Sequence, residues 1–235
     1  MTIRDLASRI ASIATLDEPV RRALYLYVAA QPEPVSRDQA AAALGVARHV
    51  AKFNLDKLEE ESLLEAFYAR PRGRSGPGAG RPAKLYRRGS REVAVSLPER
   101  HYDLAARVMA QAIVAAQKDA VPIGEALSVA AHEAGQALGE VARAKAGPEA
   151  SRADALRAVR EVLTGQGYEP RAADHAIVLA NCPFHKLAQT YTELVCKINT
   201  ELVDSMLSVA APYDARAEFR PTPGLCCVRI AMSTG

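Results

Sequence analysis

Nothing before residue 182 contains a thiol, although the chain runs to 235 residues. The four cysteines, Cys182, Cys196, Cys226 and Cys227, all fall in the last quarter. Long apolar runs are also missing. The longest, such as residues 110–116, are broken by Gln or Lys far short of a bilayer's thickness, so no transmembrane helix and no membrane partner are expected. The start, Met1-Thr2-Ile3-Arg4-Asp5, carries an acid and has no apolar signal core, which leads us to expect a cytoplasmic chain. In that reducing compartment, thiols are free, metal-bound or redox-active rather than structural bridges. A large charge imbalance is absent too. The net charge of +3 is too small to imply nucleic acid by itself, and 49% apolar with 24% charged residues describes an ordinary globular chain with room for two small domains.

One stretch lacks acids altogether. Between Ala66 and Arg91 the charged residues are Arg70, Arg72, Arg74, Arg81, Lys84, Arg87, Arg88 and Arg91. Its middle, residues 72–80, is rich in Gly, Pro and Ser, which on its own describes a solvated basic loop. The flanking pattern points further. Residues 16–31 read as a helix opened by Asp17, Glu18 and Pro19, with Val20, Ala23, Leu24 and Tyr27 on one face. Pro32 and Pro34 end it, and Ser36 caps a second helix through Leu44. Gly45 breaks that helix four residues after the small Ala41. A third helix runs from Ala47 to about Glu61, with Ala51, Leu55 and Leu58 facing inward.

This is helix-turn-helix spacing: Ala41 lets two helices cross closely, and Gly45 permits a left-handed turn. The outer face of the third helix offers Arg48, His49 and Lys52 near its N-terminal end, where a recognition helix meets base edges and phosphates. Residues 63–69 and 83–87 alternate as two strands joined by the basic tip. Gly80-Arg81-Pro82-Ala83-Lys84-Leu85-Tyr86 resembles the wing of bacterial winged-helix regulators. Arg72, Arg74, Arg81 and Lys84 are its candidate contacts to the DNA backbone and minor groove. Double-stranded DNA is therefore the expected partner of residues 1–95.

Residues 97–118 and 123–145 read as two long, Ala-rich helices. Helices following a wing commonly form a two-fold dimer, and paired half-sites on DNA require that symmetry. A homodimer on an inverted-repeat operator is expected, with residues 96–148 as linker and dimerisation helices. Ala131-His132-Glu133-Ala134-Gly135 is not a zinc-protease motif, because no second histidine follows at helical spacing.

Residues 149–235 read as a small α+β domain: a helix over 151–164, a strand over 169–180, a long helix over 186–209, and two strands at 215–219 and 225–230. The whole chain is thus expected to be α+β. Cys182 opens Asn181-Cys182-Pro183-Phe184-His185 at a strand-to-helix junction, where outward backbone N–H groups favour a thiolate. Cys196 lies on the long helix, about three turns beyond His185 at 3.6 residues per turn. Cys226 and Cys227 alternate sides of a strand, so one of the pair is expected to face any shared site. Three thiolates with His185 suit an iron–sulfur cluster or a zinc site. The bland alternative is four buried cysteines acting as small apolar residues.

The winged-helix start, long central helices and Asn-Cys-Pro ending resemble the repressors of the iron–sulfur assembly operon, and residues 181–188, 195–199 and 223–228 resemble related actinobacterial regulators. That resemblance implies a [4Fe–4S] cluster on Cys182, Cys196 and one of Cys226 and Cys227. A paired Cys226-Cys227 stands where the family has a single residue. The expected function is a DNA-binding repressor controlled by that cluster or a metal. The alternative is a regulator that binds a small organic effector, with structural cysteines. An enzyme using Cys182 with His185 is disfavoured, since no orienting carboxylate is patterned nearby.

Overall fold

The computed structural model describes residues 3–69, 82–210 and 215–232. The chain folds as two units, Thr2–Val95 and Ser96–Gly235.

The first unit opens with α1 (Ile3–Ala14), a helix the residue pattern does not announce, and a short 3-10 turn at Thr15–Asp17. That turn delays the next helix, so α2 spans Pro19–Ala29 rather than starting at residue 16. Glu18 caps it by accepting from the backbone N–H groups of Val20 and Arg21. A two-residue strand β1 (Val35–Ser36) leads into α3 (Arg37–Leu44). Ser36 and Gln39 form a reciprocal capping box at its start, and Gly45, with φ +63°, closes its end. After α4 (Arg48–Glu60), strands β2 (Leu64–Ala69) and β3 (Ala83–Arg88) pair antiparallel, with Phe67 opposite Leu85. The sheet order is β1-β3-β2. Leu24, Val28, Ala51, Leu55, Leu58 and Tyr86 are buried together, so the inward face read for the third helix is the packed one.

The second unit begins with α5 (Tyr102–Asp119), α6 (Ile123–Ala146) and α7 (Arg152–Gly165), the last capped by Ser151 and Asp154. Helix α5 starts five residues later than expected, because Arg91–Arg100 has no regular structure. The strand expected over 169–180 is a hairpin, β4 (Pro170–Ala173) and β5 (Ala176–Leu179), turned at His175 with its φ of +51°. The helix expected over 186–209 is two, α8 (His185–Thr190) and α9 (Thr192–Ala210), broken at Tyr191. Strands β6 (Ala215–Phe219) and β7 (Val228–Met232) complete an antiparallel sheet of order β4-β5-β7-β6.

Helix α6 presents Ala126, Ala130, Gly135 and Gly139 inward, and its backbone lies directly against α9. Val108 and Ala112 of α5 share one apolar core with Leu163, Leu179, Phe184, Leu202 and Met206. The helices at 96–148 therefore pack into the same unit as residues 149–235 rather than standing apart from it. The mixture of helices with two antiparallel sheets is α+β. Among the described residues, no helix is long and apolar enough to cross a membrane.

Candidate functional site

Four cysteines from three places in the second unit line one cavity of about 470 Å³. Cys182 follows β5 in a turn where the His185 N–H donates to the Cys182 carbonyl at 3.2 Å. Cys196 sits in the second turn of α9. The break at Tyr191 brings it there: α8 and α9 are separate helices, so the long reach implied by one continuous helix does not arise. Cys226 and Cys227 both line the cavity, against the expectation that only one would. Strand β7 starts at Val228, so the pair precedes the alternating backbone that would have split them. His185, exposed at the start of α8, lines the same cavity.

The sulfurs are not four free thiols. Cys196 and Cys227 are joined by a disulfide, while Cys182 and Cys226 are free and buried. As they stand, Cys196 and Cys227 offer no thiolate. Among the described residues no group of three or more His, Cys, Asp or Glu side chains is gathered to hold a metal ion. The expected ligand set of Cys182, Cys196 and one of the pair is thus interrupted by a covalent bond between two of its members. In kind, four sulfurs with an imidazole at the rim are donors that zinc and iron–sulfur centres select.

Cys182 and Cys226 are hydrogen-bonded to each other. The Cys226 thiol donates a hydrogen bond to the Cys182 sulfur, and that bond lowers the Cys182 pKa most. Burial opposes it, while the Phe184 N–H and the Arg100 charge assist, taking Cys182 from 9.0 to about 7. Cys226, which holds the shared proton and is itself buried, is pushed strongly upward. A polar shell missed in the sequence holds this pair. Asn199, almost fully buried, donates from Nδ2 to Cys226 Sγ at 3.4 Å and accepts from the Tyr168 hydroxyl. Its signal was spacing: it lies three residues after Cys196, on the same helical face.

In the first unit, α3 and α4 cross through Ala41 and Ala51, with Gly45 between them in the left-handed conformation. The N-terminal turn of α4 carries Arg48 and His49 outward, with Lys52 one turn on, all exposed. A family model described as a helix-turn-helix domain matches residues 16–65. Residues 16–65 are a helix-turn-helix domain, which supports a DNA-binding transcription regulator. No curated protein and no solved structure is detectably similar to the chain.

On this helix-turn-helix domain the cations are partnered. Arg48 pairs with Asp38 at 2.5 Å, and Lys52 pairs with Asp56 at 3.0 Å. Both Arg48 and Lys52 remain largely exposed, and such pairs contribute only about 0–1 kcal/mol. Lys84 differs from its expected role at the DNA backbone. Its ammonium donates to Asp56 at 2.8 Å and to Glu59, both on α4, so its charge is neutralised inside the domain. Burial acts against that ammonium, but the two carboxylate hydrogen bonds outweigh it and raise the Lys84 pKa above the usual lysine range. Asp56 also accepts from the buried Tyr86 hydroxyl at 2.8 Å. Burial there favours the neutral acid, yet hydrogen bonds from Lys84, Lys52 and Tyr86 bring the Asp56 pKa down from 3.8 to about 2. Arg72, Arg74 and Arg81 lie outside the described residues.

Proposed function

We propose that this chain is a cytoplasmic DNA-binding repressor whose affinity for its operator is set by an iron–sulfur cluster or a metal ion at the thiol cavity. The observation that carries this reading is convergence. Residues far apart in sequence, from the β5–α8 turn, α9 and the loop before β7, bring four sulfurs to one cavity in a chain that also holds a helix-turn-helix domain. Cys182, Cys196, Cys226 and Cys227 would hold the group once the Cys196–Cys227 bond has taken up two electrons and two protons from a cellular thiol reductant. His185 is the remaining candidate donor. When bound, a [4Fe–4S] cluster, or zinc as the alternative, supplies a cross-link between three segments that an oxidant can remove.

At the other end, Arg48, His49 and Lys52 would enter the major groove, with the β2–β3 hairpin as a wing and Arg72, Arg74 and Arg81, which lie between its strands in sequence, as further DNA contacts. The weak pairs that Arg48 and Lys52 make with Asp38 and Asp56 cost little to exchange for DNA. A homodimer on an inverted repeat is supported by apolar side chains left facing solvent on α5 and α6, namely Ile113, Val114, Val129 and Val141.

The test is purification without oxygen and with a thiol reductant, followed by absorption spectroscopy and iron, sulfide and zinc analysis. Bound iron or zinc that is lost in Cys182→Ser and Cys196→Ser, together with metal-dependent DNA affinity, is the expected result. Protein with neither metal, and a Cys182→Ser variant that still regulates, would overturn the reading and leave an organic effector as the cavity's ligand.

A further inference from the structure

The turn that carries Cys182 is bonded to the stretch of chain that leads back to the helix-turn-helix domain. Asn181, 7% exposed, donates from Nδ2 to the Glu99 carbonyl at 2.9 Å and to the Gly167 carbonyl at 2.5 Å. Its Oδ1 accepts from Arg100, whose Nη1 also reaches the Cys182 carbonyl at 3.1 Å. One residue on, the His101 N–H donates to the Pro183 carbonyl at 3.2 Å. Gly167 makes the fit possible, because a Cβ there would lie 2.9 Å from His101 Cδ2. Residues 99–101 are thus strapped to residues 181–183 by side chain and backbone alike.

The segment before this strap is short and anchored at its far end. Arg91 donates to Ser8 on α1 at 3.2 Å, Val93 packs against the helix-turn-helix core, and the Ala94 carbonyl accepts from Arg9. Only residues 95–98, with Pro98 among them, separate Ala94 from Glu99. That is five Cα–Cα steps, at most about 18 Å of chain.

We propose that Arg100 and Asn181 are positioning residues that couple the thiol cavity to the DNA-binding unit, by tying the backbone of Cys182 to residues 99–101. This rests on the cavity reading above for the identity of the signal. A change at Cys182 moves a carbonyl that Arg100 holds, and the chain between Arg100 and Ala94 carries that movement on. Arg100 is the side chain to test, since it is half-buried and donates to both Asn181 and the Cys182 carbonyl.

The experiment uses the full-length chain in four states: oxidised, reduced with a phosphine, loaded with Zn²⁺, and reconstituted with iron and sulfide without oxygen. Amide hydrogen exchange over residues 96–104 is followed in each, and affinity is measured for a duplex selected in vitro by the wild-type protein. In the wild type, protection of that segment changes with the state of the cavity. In Arg100→Ala the segment exchanges at least tenfold faster in every state, and the ratio of loaded to metal-free DNA affinity, compared at matched metal occupancy, falls to within about twofold of one. Arg100→Lys restores part of that ratio, because an ammonium can still donate to Asn181 and the Cys182 carbonyl. Circular dichroism shows that the variants are folded; should Arg100→Ala unfold, Asn181→Ser and Arg100→Lys are compared with the wild type by exchange in the same way. An unchanged exchange pattern across all four wild-type states, or a variant that keeps the wild-type affinity ratio, overturns the coupling. Wild-type DNA affinity that ignores metal but follows reduction of the disulfide overturns the cavity's metal role, and the reduced-to-oxidised affinity ratio then replaces the metal ratio in comparing the variants.

Discussion

Asp56 gathers three donors, two from strand β3 and one from its own helix: Lys84 at 2.8 Å, Tyr86 at 2.8 Å and Lys52 at 3.0 Å. Its carboxyl ionises more readily in the folded chain than in the unfolded one. Its ionisation therefore stabilises the fold above the ordinary value of 3.8, and that contribution is lost as pH falls through about 2. Urea unfolding of the wild type between pH 5 and pH 2 should show a drop that is smaller in Asp56→Asn over the same window. A pH dependence identical in both proteins would show that Asp56 is not its source. Lys84→Ala leaves Asp56 and Glu59 without their shared cation, and about 1–2 kcal/mol of stability should be lost. Arg81→Ala should instead flatten the salt slope of DNA binding by about one, as the loss of a single phosphate contact does. A salt slope the same as that of the wild type would remove Arg81 from the interface.

Helix α6 shows why an element's neighbours matter more than its propensity. Two of its glycines look alike in sequence but stand in different places. A Cβ on Gly135 would lie 2.3 Å from the Leu202 carbonyl and 2.8 Å from Ser205 Cβ, whereas one on Gly124 would meet nothing within 4 Å. Ala is favoured over Gly by about 1 kcal/mol in a helix, but forcing a methyl against the α9 backbone costs about 1–3 kcal/mol or more. Gly135→Ala should therefore lower the unfolding midpoint, and Gly124→Ala should raise it slightly, in calorimetry on the full chain. Equal midpoints would mean that α6 and α9 do not lie this close. Because α9 carries Cys196 and Asn199, a shift of α9 in Gly135→Ala should also weaken the metal retention proposed for the cavity.

For the whole molecule, the proposed inverted-repeat operator requires two recognition helices at a fixed spacing. The α5 and α6 faces bearing Ile113, Val114, Val129 and Val141 are apolar and face solvent within the chain. Sedimentation at micromolar concentration should give a dimer, and Val114→Glu with Val129→Glu should shift it to monomer without unfolding it. A monomer in the wild type, both free and on DNA, would remove the dimer and with it the inverted-repeat operator. Protein-to-DNA stoichiometry on a selected duplex gives the same answer independently.

Some of this architecture could be read directly from local chemistry. Ser36 with Gln39, Gly45, and the apolar spacing of Ala51, Leu55 and Leu58 define the helix-turn-helix because capping, left-handed turns and amphipathic faces are short-range effects. The alternation of residues 63–69 and 83–87 marked the hairpin for the same reason. The clustering of thiols in the last quarter was also visible, as composition. Which sulfurs meet was not. The break at Tyr191, the hairpin hidden in residues 170–179 and the start of β7 at Val228 arise from packing between distant segments, and they alone bring Cys182, Cys196, Cys226 and Cys227 to one cavity. The pairing of Cys196 with Cys227, the burial of Asn199 beside Cys226, and the strap from Arg100 to Asn181 all join residues 27 to 81 positions apart. Lys84 shows the same limit: a cation in a basic stretch reads as a DNA contact until the fold sets Asp56 and Glu59 beside it. Short-range patterns determined the elements, whereas long-range packing decided which charges and thiols are free to act.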